Sequence, residues 1–169
     1  EKVYGGKRKV AEYTNGPEDF RNMIKRDDVD AVVIATQWAW HPIQAVACLK
    51  AGKTTAVEVC GASDIQECWE LVNTSEETGV PVFGMENVCY RRDVMAVLNM
   101  VRQGLFGELI HLQGGYQHDL RTVKFNNGKQ YYGGGVEFGE KGLSEAHWRT
   151  NHSVHRNADL YPSHGLGPI

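Results

Sequence analysis

With 169 residues, 41% of them hydrophobic, the chain is long enough for one domain or two small units with real cores. A formal net charge of -3 argues against nucleic acid or an anionic membrane as partner. No run approaches the ~18 apolar residues of a membrane span. The cysteines Cys48, Cys60, Cys68 and Cys89 lie in apolar segments without a C-x-x-C pair, which reads as buried thiols rather than disulfides or a zinc site.

Residues 1–15 are polar and give no clear element. Gly16-Pro17 opens a predicted helix with Phe20, Met23 and Ile24 as its apolar stripe. Asp30-Ala31-Val32-Val33-Ile34-Ala35 is a continuous β-branched run, the pattern of a parallel strand covered on both faces. A helix is predicted from about Pro42 to Ala51, closed by Gly52. Thr54 to Val59 is a second buried strand. Ser63 caps a helix carrying Ile65, Trp69 and Val72, which ends at Gly79. Val80 to Met85 is a third strand. Alternation at this spacing predicts βαβ units and a doubly wound parallel sheet.

After Tyr90 the character changes. Arg91 to Gln103 is an amphipathic helix with Val94, Val97, Leu98 and Val101 on one side, and Glu108 to Gln117 reads as a strand. From His118 onward the chain is rich in Gly, His and aromatics. The expected division is a dinucleotide-binding remainder over 1–88 and the start of an α+β substrate domain with an open sheet over 89–169.

In doubly wound sheets ligands bind at the carboxyl ends of the strands. Trp38, Ala39, Trp40 and His41 follow the first strand, Glu58 and Val59 the second, Glu86 and Asn87 the third. The indoles either pack on the next helix or wall a cofactor ring, and the residues alone leave both open. No G-x-G-x-x-G occurs, which fits a chain that begins after the phosphate turn as well as it fits a non-nucleotide protein. His147, His152 and His155 lack the spacing of a familiar metal set, so no metal is expected. No serine elbow or paired carboxylates stand out. Near the end, Tyr161-Pro162-Ser163-His164 sets a phenol and an imidazole three positions apart across a stiff proline, a pair suited to a sugar or hydroxy-acid site.

Several motifs in order carry a resemblance from about Tyr13 onward. They are Trp38-Ala39-Trp40-His41, Glu58-Val59, Glu86-Asn87-Val88-Cys89-Tyr90, Gly115-Tyr116-Gln117-His118, the glycine-rich run 133–140, Trp148-Arg149-Thr150 and Tyr161-Pro162-Ser163-His164. Together they closely resemble the NAD-dependent α-N-acetylgalactosaminidase family of glycoside hydrolases, within the superfamily of glucose–fructose oxidoreductase and inositol dehydrogenase. The resemblance implies a Rossmann-type sheet and tightly held NAD. The cycle it implies is oxidation at C3 of the sugar, loss of the C2 proton, elimination at C1, addition of water and return of the hydride. The wider superfamily carries Glu-Lys-Pro where this chain has Glu58-Val59-Cys60. Without that lysine the alternative, an NAD(P)-dependent sugar dehydrogenase, loses its usual acid/base group. A non-enzymatic sugar-binding domain is the third reading.

By the resemblance, Trp38 to His41, Glu58, Val59, Asn87, Ser144, Glu145, Ala146, His147, Trp148 and Tyr161 line the NAD. Tyr116, Arg149, Tyr161, Pro162, Ser163 and His164 bind the sugar, with His164 and Tyr161 catalytic and His164 moving the proton. The partner implied is a glycan or small glycoside with terminal α-linked GalNAc, with homo-oligomer formation left open and an exported or periplasmic location expected. The absence of an initiator Met or leader gives the further expectation of an internal piece of a longer protein, one that holds NAD poorly and aggregates.

Overall fold

Ala31–Ile34 (β1), Thr54–Glu58 (β2) and Val82–Met85 (β3) pair in parallel, in the order β1-β2-β3, in the computed structural model. The register sets Val32 beside Thr55 and Val57 beside Gly84. The structure describes residues 10–125, 127 and 140–169, with the backbone alone at 122, 140–143, 145 and 146. Contacts divide the chain into two units, Glu1–Met85 and Glu86–Ile169.

In the first unit the sheet buries one face. Val32, Ile34 and Val57 pack with Ile24 and with Ala45 and Cys48 of α2 (His41–Lys50), while Phe20 and Met23 of α1 (Phe20–Met23) and Leu71 of α3 (Ile65–Thr78) close the edge. A fully buried aliphatic side chain of this kind contributes about 1.5–3 kcal/mol. β1 is not covered on both faces as its sequence predicts. Its residues alternate between exposed and buried, and Val33 and Phe83 are 66% and 54% exposed. The described helices cover only the face of Val32, Ile34 and Val57.

Three local expectations shift. Gly16-Pro17 leads into a turn, and the helix is confined to Phe20–Met23. The Asp19 carboxylate accepts from the Asn15 amide at 2.9 Å and from Asn22 Nδ2 at 2.9 Å, a local network that competes with helix extension. The cap of α3 is Asp64, one residue after Ser63. Asp64 Oδ1 accepts from the Glu67 amide at 2.8 Å and Glu67 Oε2 accepts from the Ser63 amide at 2.6 Å, a capping-box-like pair in which the return bond reaches the residue before the cap. The expected apolar stripe of α3 lies outward, with Ile65 72% and Trp69 58% exposed. α3 does end at Gly79, whose φ of 68° supplies the left-handed cap.

The second unit begins with a 3-10 turn, Asn87–Tyr90, and α4 (Arg92–Arg102). Residues 108–117 form no strand, because a strand needs a paired neighbour and the described residues offer none. Among the described residues three helices follow: α5 (Arg121–Lys124), α6 (Glu140–Val154) and α7 (Pro162–Leu166). Among the described residues no helix is long and apolar enough to cross a membrane.

All four cysteines are free thiols, but they are not uniformly buried: Cys48 is 1% exposed and Cys68 is exposed. Burial pushes the Cys48 thiol up to about 11, against a hydrogen bond with Thr55. A thiol reagent under native conditions should therefore modify Cys68 first and leave Cys48 unmodified until the chain unfolds, as peptide mapping will read.

Candidate functional site

The last helix is placed by close backbone approach. A Cβ on Gly114 would lie 2.2 Å from the Gly165 carbonyl oxygen, and one on Gly167 would lie 2.9 Å from Cys89 Sγ. Real Cβ atoms do not come that near, so the glycines let α7 sit directly on the 114–115 segment and on the turn after Glu86. Asp159 Oδ1 accepts from the Tyr161 amide at 2.9 Å and Pro162 starts the helix, which fixes the direction in which Tyr161 and His164 leave the backbone.

His164 Nδ1 lies 2.7 Å from Glu86 Oε1, with both side chains 13% exposed. The same carboxylate oxygen accepts from the Val88 amide at 2.9 Å and so caps the Asn87–Tyr90 turn. Burial alone would raise the Glu86 carboxyl. Interactions with Ser163, the Val88 amide and His164 outweigh it and hold the carboxyl below its ordinary value of 4.5. An ionised carboxylate only accepts, so the 2.7 Å contact requires the proton on Nδ1. The neutral ring then carries its lone pair on Nε2. Glu86 Oε2 is buried without a partner in good hydrogen-bond geometry among the described residues, and the Ser163 side chain also acts on the carboxylate.

Aromatic rings surround the imidazole. Tyr161 stacks on His164 with centroids 5.2 Å apart and planes 20° apart, and Tyr116 meets His164 edge-on at 4.6 Å. Tyr116 and Tyr161 are 5.8 Å apart. Arg149 on α6 donates from a terminal guanidinium nitrogen to the Tyr161 hydroxyl oxygen at 3.3 Å and lies over the Trp148 ring at 4.5 Å. His118 Nδ1 is 3.2 Å from the Tyr116 hydroxyl. Beside Tyr116 and Tyr161 opens a concavity of about 470 Å³ walled by Asp119, Arg121, Phe125 and Asp159. The structure thus brings together Tyr116, Arg149, Tyr161, Ser163 and His164, with Pro162 exposed on the outer side.

The expected cofactor residues fall in both units. In the first, Trp38–Trp40 is a 3-10 turn rather than an open loop, with Trp38 buried and Ala39 exposed. His41 is 1% exposed and its ring nitrogens face backbone carbonyl oxygens, so its side chain packs inside rather than forming a wall. Glu58 ends β2 half-buried, and its carboxylate has no partner among the described residues. A carboxylate accepts but cannot donate, and at a strand's carboxyl end it matches the paired hydroxyls of a ribose. Val59 follows, half-buried. In the second unit Asn87 is exposed, and Ser144, His147 and Trp148 line an open concavity on α6 of about 840 Å³. The side chains of Glu145 and Ala146, and the glycine-rich run up to residue 139, lie outside the described residues.

Residues 5–85 match the oxidoreductase family with the NAD-binding Rossmann fold, and residues 90–169 match the glycosyl hydrolase 109 C-terminal domain. The chain thus joins an NAD-binding Rossmann domain of an oxidoreductase family to a glycosyl hydrolase 109 C-terminal domain. It is 54% identical over 162 residues to a "Glycosyl hydrolase family 109 protein" of Parabacteroides distasonis, an overlap of 93% of this chain and 35% of that one. It is also 54% identical over 161 residues to an "Alpha-N-acetylgalactosaminidase" of Tannerella forsythia, covering 93% and 34%. The chain spans about a third of the length of these family 109 relatives. Among solved structures it resembles in fold the WlbA dehydrogenase from Bordetella pertussis in complex with NADH and UDP-GlcNAcA, with a TM-score of 0.51 and 24% identity over 63% of this chain and 29% of that one.

One carboxylate that the motifs bring near the site was not picked out as a site residue: Glu86. Its signal is its position directly after β3, at the carboxyl end where ligands bind in such sheets. Because its carboxyl is lowered in the folded state, its contribution to stability is full above 4.5 and is lost as the pH falls through the lower folded value. Denaturant titrations should show the parent losing its advantage over Glu86→Gln progressively as the pH falls from 4.5 through the lower folded value.

Proposed function

We propose that the whole protein is a glycosidase that releases terminal α-linked N-acetylgalactosamine with NAD as a recycled cofactor. The observation that carries this reading is the Glu86–His164 hydrogen bond beneath Tyr116 and Tyr161, in a chain whose halves match an NAD-binding Rossmann family and the family 109 C-terminal domain. NAD, when bound, would take a hydride from the sugar and return it, so the net reaction is hydrolysis. Trp40, Ala39, Glu58 and Val59 at the strand ends of the first unit are the residues we assign to holding it.

The chain's own groups supply the rest. Glu86 fixes the His164 tautomer and ring plane, as an acidic partner orients a catalytic imidazole elsewhere. That leaves Nε2 as the proton acceptor. The rings of Tyr116 and Tyr161 offer flat apolar walls for a pyranose, and Arg149 holds the Tyr161 phenol through its oxygen, which keeps the O–H directed away from the guanidinium. Val59 offers no amine at the end of β2, which counts against the sugar-dehydrogenase alternative.

The test uses an aryl α-GalNAc glycoside in deuterated water, with no added reductant. The product should carry deuterium at C2, and His164→Ala should lose ~10²–10⁴-fold in rate while retaining its NAD. Full retention of the C2 hydrogen, or net accumulation of NADH with free sugar, would exclude this route.

A further inference from the structure

The carboxyl edge of the sheet in the first unit is held by one buried imidazole. His41 Nδ1 lies 2.8 Å from the Cys60 carbonyl oxygen and Nε2 lies 3.0 Å from the Thr36 carbonyl oxygen. Thr36 follows β1 and Cys60 follows β2, so the ring spans the two segments that leave neighbouring strands. These segments carry Trp38 to Trp40 on one side and Glu58 and Val59 on the other. Thr36 is held a second time, its hydroxyl donating to Gln44 Oε1 at 2.8 Å, and Gln44 is itself buried one turn along α2.

We infer that His41 is a positioning residue for the dinucleotide edge: by bridging the Thr36 and Cys60 carbonyls it sets the spacing between the Trp38–Trp40 turn and the Glu58–Val59 segment. The role follows from chemistry and place. A carbonyl only accepts, so the ring must donate to at least one segment while its body fills the gap to the other. With 1% exposure the imidazole cannot itself form a cofactor wall. Pre-setting the two segments lowers the ordering cost that a bound dinucleotide would otherwise meet. Losing the ring would leave a backbone carbonyl without its donor and free the segments to move apart. This inference rests on the dinucleotide reading above only for what the edge holds. The clamp itself is a statement about this chain.

Two variants of the whole protein separate the possibilities: His41→Phe keeps the ring volume and removes the donors, and His41→Gln restores an N–H. Calorimetry with NAD reads affinity. Amide hydrogen exchange in the cofactor-free chain reads the segments 36–40 and 58–60, with β1 and α3 as internal controls. His41→Phe should weaken NAD binding roughly tenfold or more, the scale of one lost buried hydrogen bond. It should speed exchange in both segments together, with the controls unchanged, and His41→Gln should recover most of both effects. Parent-like NAD affinity in His41→Phe would overturn the inference, as would acceleration in one segment alone or uniformly through the unit. Should the parent take up no NAD, the dinucleotide reading falls. The exchange pattern then decides the clamp alone, upheld by paired acceleration and overturned by a one-sided or uniform one.

Discussion

The hydrogen bond between Glu86 and His164 joins residues 78 positions apart, and the chemistry of the second unit depends on it. Glu86 also caps the 3-10 turn that follows it, so one carboxylate serves a backbone amide and an imidazole together. A buried carboxylate without such partners would be costly. With them it stays ionised, and the imidazole beside it has only one way to place its proton. Orientation of the ring, the free position of Nε2 and the low exposure of the pair are thus one fact seen from three sides.

That bond requires α7 to lie very close to its neighbours, and glycine is what allows it. A Cβ on Gly114 would lie 2.2 Å from the Gly165 carbonyl oxygen and one on Gly165 would lie 3.2 Å from the Gly115 Cα, so the two backbones meet directly. Tyr161 and His164 then stand on the same short helix, stacked on each other, with Tyr116 supplied by the segment that the glycines bring near. Small residues and large rings play complementary parts here: the former set the separation of the backbones and the latter fill the space beside them.

Much of the first unit was legible in the sequence because its signals are local. β-branched runs separated by helices closed with Gly52 and Gly79 give parallel strands whether or not the partners are known. Burial was less legible. Val33 sits inside an unbroken apolar run, and periodicity cannot tell a strand covered on two faces from one covered on a single face. The cap of α3 fell one residue late because Ser63 and Asp64 are both good caps, and the choice is made by Glu67 three residues after Asp64. The strand predicted over 108–117 failed for a nonlocal reason, since pairing depends on a neighbour. At the candidate site, Tyr161, Pro162 and His164 were visible as a short motif. Glu86 escaped selection as a site residue because its partner is remote in the chain. His41, expected at the cofactor, is instead occupied by the Thr36 and Cys60 carbonyls, a use that no residue pattern announces.

The central claim is that Glu86 dictates the protonation geometry of His164, and nitrogen-15 NMR of the ring tests it directly. In the parent at neutral pH the shifts should place the proton of the neutral ring on Nδ1, bonded to the carboxylate, with Nε2 unprotonated. Glu86→Gln should release that preference toward the Nε2–H tautomer that free imidazole side chains favour. A parent ring already in the Nε2–H form, or one whose tautomer is unchanged by Glu86→Gln, would contradict the account.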